Sequence, residues 1–300
     1  MKKVSIGRAV LRVLSTAAIL GIGGFYSDDA FSQGAANIAA LAKHTHFHGI
    51  AVDPADSSRV YLASHHGLYV IGQDGRAQRI SEVRDYMGFT AHPTDPAVLF
   101  ASGHPAGGGN LGFIVSRDGG QSWTKLSDGA GGPVDFHQMD VSKADPRIIY
   151  GVHQSLQRSA DGGSSWHIVG PAPADIISLA ASSTDVDTLY AATQGGLKQS
   201  ADGGRTWKTL SDRPTTMVHV TRDGTIYAYM VGTGLVRAAE KNPAWKVVGR
   251  DFGGDILLHF AVDPRDPQRL YAVTYDTQKR TQGVIASRDG GERWSPLGGE

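Results

Sequence analysis

The 300-residue sequence contains no cysteine. That removes disulfides, thiolate metal sites and cysteine nucleophiles together. It also lacks any excess of one charge, with Lys+Arg and Asp+Glu at 29 each and no run of a single sign. Binding to nucleic acid or to an anionic membrane, both of which draw on clustered positive charge, is therefore not expected. No apolar run reaches the length of a spanning helix. The mostly apolar residues 13–25 are short for one and are interrupted by Gly21, Gly23 and Gly24. No Ser-His-Asp order stands out. The glycine-rich Ala106-Gly107-Gly108-Gly109-Asn110 lies between strands and not ahead of a helix, so it does not indicate phosphate binding.

The N-terminus reads as an export signal. Met1-Lys2-Lys3, Arg8 and Arg12 give a positive start, the apolar stretch follows, and Ala30-Phe31-Ser32 offers small residues for cleavage before Gln33. The expectation is a signal peptide at 1–32, a flexible lead-in at 33–40, and a periplasmic or secreted mature protein with no membrane contact after cleavage. Without a cysteine behind the apolar stretch, a lipoprotein is excluded.

What the chain has in abundance is glycine, at 39 residues, and a repeat. Ser116-Arg117-Asp118-Gly119-Gly120-Gln121-Ser122-Trp123 returns with Ser159 through Trp166, with Ser200 through Trp207, and with Ser287 through Trp294. The period is about 40 residues with one double-length gap, the signature of a repeat architecture. Each copy sits between apolar runs and reads as a hairpin. Glycine accepts positive φ there, and an aspartate carboxylate can accept bonds from turn amides. The pattern Ser-x-Asp-Gly-Gly-x-x-Trp resembles the Asp-box, or BNR repeat, of β-propellers. That resemblance implies a fold and leaves activity open, since it covers sialidases, other glycosidases, sorting receptors and assembly factors.

Working outward from the boxes, six units appear, each an apolar strand, an Asp/Pro-rich turn, a Tyr-rich strand, a loop, a third strand, the box and a fourth strand. The first strands begin near His46, Met87, Phe136, Ile176, Met217 and Leu258. Unit one carries a degenerate box, Gly72-Gln73-Asp74-Gly75, and unit five keeps only Trp245. The fold expected is all-β: one six-bladed β-propeller of four-stranded blades with Asp-box hairpins, spanning 41–300. Unit six ends in its own fourth strand, so ring closure is expected to rest on packing alone.

A propeller has two unlike ends. The boxes share one rim with the first-to-second turns, and the other rim carries the lead-ins to first strands and the second-to-third loops. Sorting the histidines by this rule places His46, His48 and His137 at lead-ins, together with Met87 and Met217. His65, His66, His104 and His153 fall in the loops. Aligned first strands put His48, Met87, His137, Ile177, Met217 and Leu258 in one column. The candidate metal ligands are therefore His46, His48, His65, His66, Met87, His104 and His137, and imidazole with thioether favours copper, thioether suiting Cu(I). The competing reading is ordinary: methionine filling gaps in the core, histidine hydrogen-bonding at a surface.

The rim also carries Asp85, Asp135, Asp175, Asp255 and Asp276. These are either turn caps or, with Asp85, Asp135 and Asp255 as catalytic candidates, the carboxylates of a glycoside hydrolase. Beyond the boxes, the phrases His46-Phe47-His48-Gly49, Ser64-His65-His66-Gly67-Leu68, Tyr86-Met87-Gly88-Phe89-Thr90, Ser102-Gly103-His104-Pro105 and Asp135-Phe136-His137 resemble secreted bacterial Asp-box proteins labelled glycosyl hydrolase or exo-α-sialidase-like. Sialidase chemistry itself is not expected, because the Arg-Ile-Pro signature is missing and few arginines lie on this rim. The reading reached is an exported binding or assembly module with a copper site on its His/Met rim and a protein or glycan partner there. The alternative is a sialidase-fold glycoside hydrolase.

Overall fold

Six antiparallel sheets succeed one another along the chain in a computed structural model that describes residues 36–105 and 107–298. The expected signal peptide lies outside the described residues. Among those described, no helix is long and apolar enough to cross a membrane. Five sheets have four strands in simple sequential order, and the first has a fifth. The first strands of the blades, Phe47–Val52, Met87–Ala91, Gln138–Val141, Ile176–Ala181, Thr215–Val220 and Ile256–Asp263, stand at the axis. Each packs against the first strand of the next blade, and that of blade six packs against that of blade one. The expected all-β, six-bladed propeller is the observed one.

The Asp-box acts locally as a knot and globally as a wedge. In the first full copy Ser116 Oγ donates to Asp118 Oδ1 at 2.8 Å and accepts the Gly120 N–H at 2.8 Å. The Asp118 carboxylate also accepts the Ser122 N–H at 2.9 Å and the Ser122 hydroxyl at 2.5 Å. Trp123 Nε1 then donates to Gly120 O at 3.0 Å, folding the indole over the turn. Gly163 and Gly204 repeat the Gly120 position with φ near +90°, and a Cβ there would sit 2.1 Å from Phe113 and from Leu156 of the preceding blade. The second glycine of each box thus lets the hairpin press on its neighbour. The rings of Trp123 and buried Tyr86 meet at a tilt, centroids 4.9 Å apart, in the core shared by blades one and two. In blade five the box is replaced by a tighter hairpin pairing Ala239 with Asn242, and Trp245 remains packed on the core of blades four and five.

Closure is more than packing, contrary to the sequence reading. Phe47 N–H donates to Gln282 Oε1 at 2.6 Å, and Gln282 Nε2 returns a bond to Phe47 O at 3.3 Å. Ser57 Oγ donates to Asp263 Oδ1 at 2.9 Å, and Gln73 Nε2 to the Tyr271 hydroxyl at 3.1 Å. All these bonds join blade one to blade six. Residues 36–41, within and just beyond the span expected as a flexible lead-in, form structure instead. Ala36–Asn37 pairs with Arg76 and Ala77 as the extra strand of blade one. Asn37 caps the helical turn Ile38–Leu41, whose buried Ile38 and Leu41 face the third strand of blade six. The segment straps the seam because two apolar side chains find cover there only if both blades are in place.

Candidate metal centre

Each first strand is preceded by a short lead-in that the previous blade holds in position. Tyr86 N–H donates to Ser64 O at 3.1 Å, and Phe136 N–H donates to Ser102 Oγ at 3.0 Å. Those serines end the second strands of blades one and two, immediately before the loops that carry His65 and His104. The result is that the aspartate just before each clamped residue meets the loop histidine of the previous blade. Asp85 Oδ2 lies 3.2 Å from His65 Nδ1, and Asp135 Oδ2 lies 3.0 Å from His104 Nε2. One axial histidine completes each group. His48 Nε2 is 3.8 Å from Asp85 Oδ1, and His137 Nε2 is 2.6 Å from Asp135 Oδ2. Two sets of two imidazoles and one carboxylate result, each with its ligating atoms within 4.8 Å of one another.

In the second set the proton positions are constrained. His104 Nδ1 is 2.8 Å from Gly109 O, an oxygen that can only accept, so Nδ1 carries the proton. In neutral His104 the lone pair of Nε2 then points at the anionic Asp135 oxygen. That contact is repulsive unless a cation intervenes, either a second proton on the ring or a metal ion. Asp135 is almost fully buried, and its Oδ1 has no hydrogen-bond partner among the described residues. Burial pushes the Asp135 carboxyl up, but the His137 hydrogen bond and the charges of His137, His104 and His153 outweigh it and hold the group below its ordinary value. The same hydrogen bond raises His137 against the effect of burial.

The first set is drier and looser. His48 Nε2 and Asp85 Oδ1 are both sealed from solvent, and neither has a hydrogen-bond partner among the described residues. Their separation suits two donors on one ion, since atoms each about 2.0–2.2 Å from a metal sit roughly 3–4 Å apart. Burial, followed by the charge of His65, drives His48 well below its ordinary value, leaving the neutral ring that metals require. The rings of His48 and His65 meet edge-on with centroids 4.2 Å apart. The sets are neighbours: the charge of Asp85 acts on His137, and that of His137 acts on His48.

Of the seven ligands expected from sequence, His48, His65, His104 and His137 are brought together in the two sets. His46 lies beside His65, with ring centroids 5.9 Å apart, and belongs to neither set. His66 likewise stays outside, and its own backbone N–H is tied to Ser64 Oγ at 3.1 Å. Met87 is buried at the head of the first strand of blade two. Asp85 and Asp135, expected as acids of a rival hydrolase site, are the carboxylate members of these sets. Closeness in sequence held the signal, because Asp135 precedes His137 by two residues in the lead-in to the strand Gln138–Val141. Asp255 stands apart on blade six, where burial and then Asp276 raise its carboxyl above the ordinary range, against the hydrogen bond from Thr274. Behind the rim, a cavity of about 740 Å³ runs along the axis, with His48, His137, His219 and His259 in its wall.

Residues 114–125 match the BNR/Asp-box repeat. The chain is an Asp-box β-propeller. No curated protein matches it in sequence. Solved structures share the fold at low identity. A GH74 xyloglucanase from Xanthomonas campestris aligns at 20% identity and TM-score 0.55, over 84% of this chain and 45% of the enzyme. A gluconolactonase from Xanthomonas campestris aligns at 15% identity and TM-score 0.58, over 81% of this chain and 86% of that one. YCF48 bound to D1 peptide aligns at 16% identity and TM-score 0.50, over 89% and 84%. The propeller spans less than half the length of the xyloglucanase it matches. Two enzymes and a peptide-binding protein on one scaffold leave function to the site.

Proposed function

We propose that the propeller is an exported binding module that holds divalent transition metal on its blade one-to-three rim and presents it to a protein or glycan partner. The observation that carries this is the His104 geometry: with Nδ1 bonded to Gly109 O, Nε2 faces the Asp135 carboxylate beside His137, a contact that either a second ring proton or a metal ion makes favourable, in a set of two imidazoles and one carboxylate. The imidazole and carboxylate donors of the two sets suit Cu(II) or Zn(II) better than Cu(I). Titration of chelator-stripped protein with Cu(II), Zn(II) and Cu(I) tests it. The divalent ions bind the wild type, and His48→Ala/His137→Ala loses them; equal weak binding by both proteins removes the site.

A hydrolase reading has one observation of its own, and it moves the residues. Asp255, raised by burial and by Asp276, is suited to act as a general acid, while Asp276 is held low, first by the Lys279 backbone N–H and then by the Lys279 side chain. Carboxyls pushed apart in this way divide acid and base roles. Asp135 is held low by the His137 hydrogen bond and the neighbouring imidazole charges, against the effect of burial. Turnover on a glycan panel that is lost in Asp255→Asn would support this reading, and no turnover by the wild type would end it.

A further inference from the structure

The axial cavity and the metal rim share side chains. His48 and His137 belong at once to a donor set and to the cavity wall, whereas His65 and His104 belong to the rim loops. A metal in either set is therefore held from the outside by a loop histidine and from the inside by a channel histidine. Three protein donors leave coordination positions for an outside ligand, as in open catalytic sites. The channel is an approach to those donors, since His48 and His137 line it.

The lining specifies what fits. Past His48 come His259 and His219, both set deep yet facing the cavity, so they offer neutral hydrogen-bonding nitrogen. Ile50, Leu179 and Val220 supply apolar wall between them. The wall holds three cationic side chains, Lys143, Arg222 and Arg237, and three carboxylates, Asp140, Asp223 and Asp263, with Lys143 bonded to Asp140. With those charges in balance, the charge left over at the channel mouth would be the metal's, which attracts an anion. The volume, about 740 Å³, is that of a pocket for a small organic molecule.

We propose that the axial channel is the ligand compartment of the rim metal, taking a small organic oxyanion whose chelating head completes the coordination sphere while its apolar body lies down the channel. This inference rests on the metal reading above and adds the class and location of the ligand.

The test uses the full chain loaded with Co(II), whose visible absorption reports coordination, and two probes with the same head, acetohydroxamate and benzohydroxamate. Both shift the Co(II) band in the wild type, and benzohydroxamate binds at least ten-fold more tightly because its ring occupies the channel. Ile177→Trp, which fills the channel from blade four and touches neither donor set, leaves Co(II) affinity unchanged and abolishes the advantage of benzohydroxamate. Leu258→Trp on blade six does the same and serves if the first variant folds poorly. A Co(II) band indifferent to both probes, or an advantage that survives either tryptophan, overturns the channel inference alone. No Co(II) band at all overturns it together with the metal reading.

Discussion

His104 Nδ1 lies 2.8 Å from the carbonyl oxygen of Gly109, and that one bond decides which face of the ring meets Asp135. Because a carbonyl cannot donate, the tautomer follows from heavy-atom positions alone. The consequence is a cation-requiring contact at the rim. Replacing His104 with Gln keeps a side-chain amide there but removes the ring nitrogen. Metal binding at the second set should fall at least ten-fold in His104→Gln, with the thermal midpoint of the metal-free protein changed little, since the side chain is 44% exposed.

The channel histidines make a separate prediction about pH. Burial is the largest cause holding His219 and His259 down to about 4, while in an unfolded chain they titrate near 6.5. The unfolded state therefore binds more protons between those values, and stability is full above pH 6.5 and lost as pH falls toward 4, by roughly 3 kcal/mol for each ring. His137 runs the other way: its value is raised, so its contribution is complete below 6.5 and is lost as pH climbs through the raised value. Urea midpoints at pH 7 and 4.5 should differ strongly in the wild type and clearly less in His219→Phe.

The box tryptophans should not be equivalent. Trp123 is 8% exposed and packs at a tilt against Tyr86, and its loss opens a cavity between blades one and two. Trp123→Ala should cost about 3–5 kcal/mol in denaturant unfolding. Trp294, in the box of blade six, is only half-buried, and Trp294→Ala should cost clearly less in the same measurement.

At the seam, Gln282 bonds both the N–H and the carbonyl of Phe47. Gln282→Ala leaves a partly buried amide without its partner and should cost about 1–3 kcal/mol. Limited proteolysis should then cut within blades one and six, which flank the loosened seam, sooner than in the wild type. An unchanged cleavage pattern would mean that the strap at residues 36–41 closes the ring without this clamp.

Gly88 ties the fold to the site. Its φ is +56°, and a Cβ would sit 2.3 Å from Phe136 O, inside the segment that carries Asp135 and His137. Gly88→Ala should therefore destabilise by about 2 kcal/mol or more and weaken metal binding at the same time. Calorimetric unfolding and metal titration on one sample separate the two effects.

Architecture was legible because the Ser-x-Asp-Gly-Gly-x-x-Trp spelling encodes a hairpin and its neighbour contact in eight residues. The rim was legible in part, since topology alone sends lead-ins and second-to-third loops to one end, and His48, His65, His104 and His137 followed. What topology cannot supply is which lead-in meets which loop. The clamps from Ser64 and Ser102 pair each loop histidine with the next blade's aspartate, and they depend on cross-blade register. Asp85 and Asp135 were therefore read as rivals of the imidazoles they bind. The strap at residues 36–41 was missed because a two-residue strand and a four-residue helix leave no periodicity to detect.

The most direct measurement is an anomalous-difference map from crystals equilibrated with Zn(II), collected at the zinc edge. The account predicts peaks about 2.0–2.2 Å from the facing nitrogens of His104 and His137 and of His48 and His65, with Asp135 and Asp85 turned toward them. Zinc found only on surface carboxylates of the Asp-boxes, with the rim imidazoles unmoved, would contradict it.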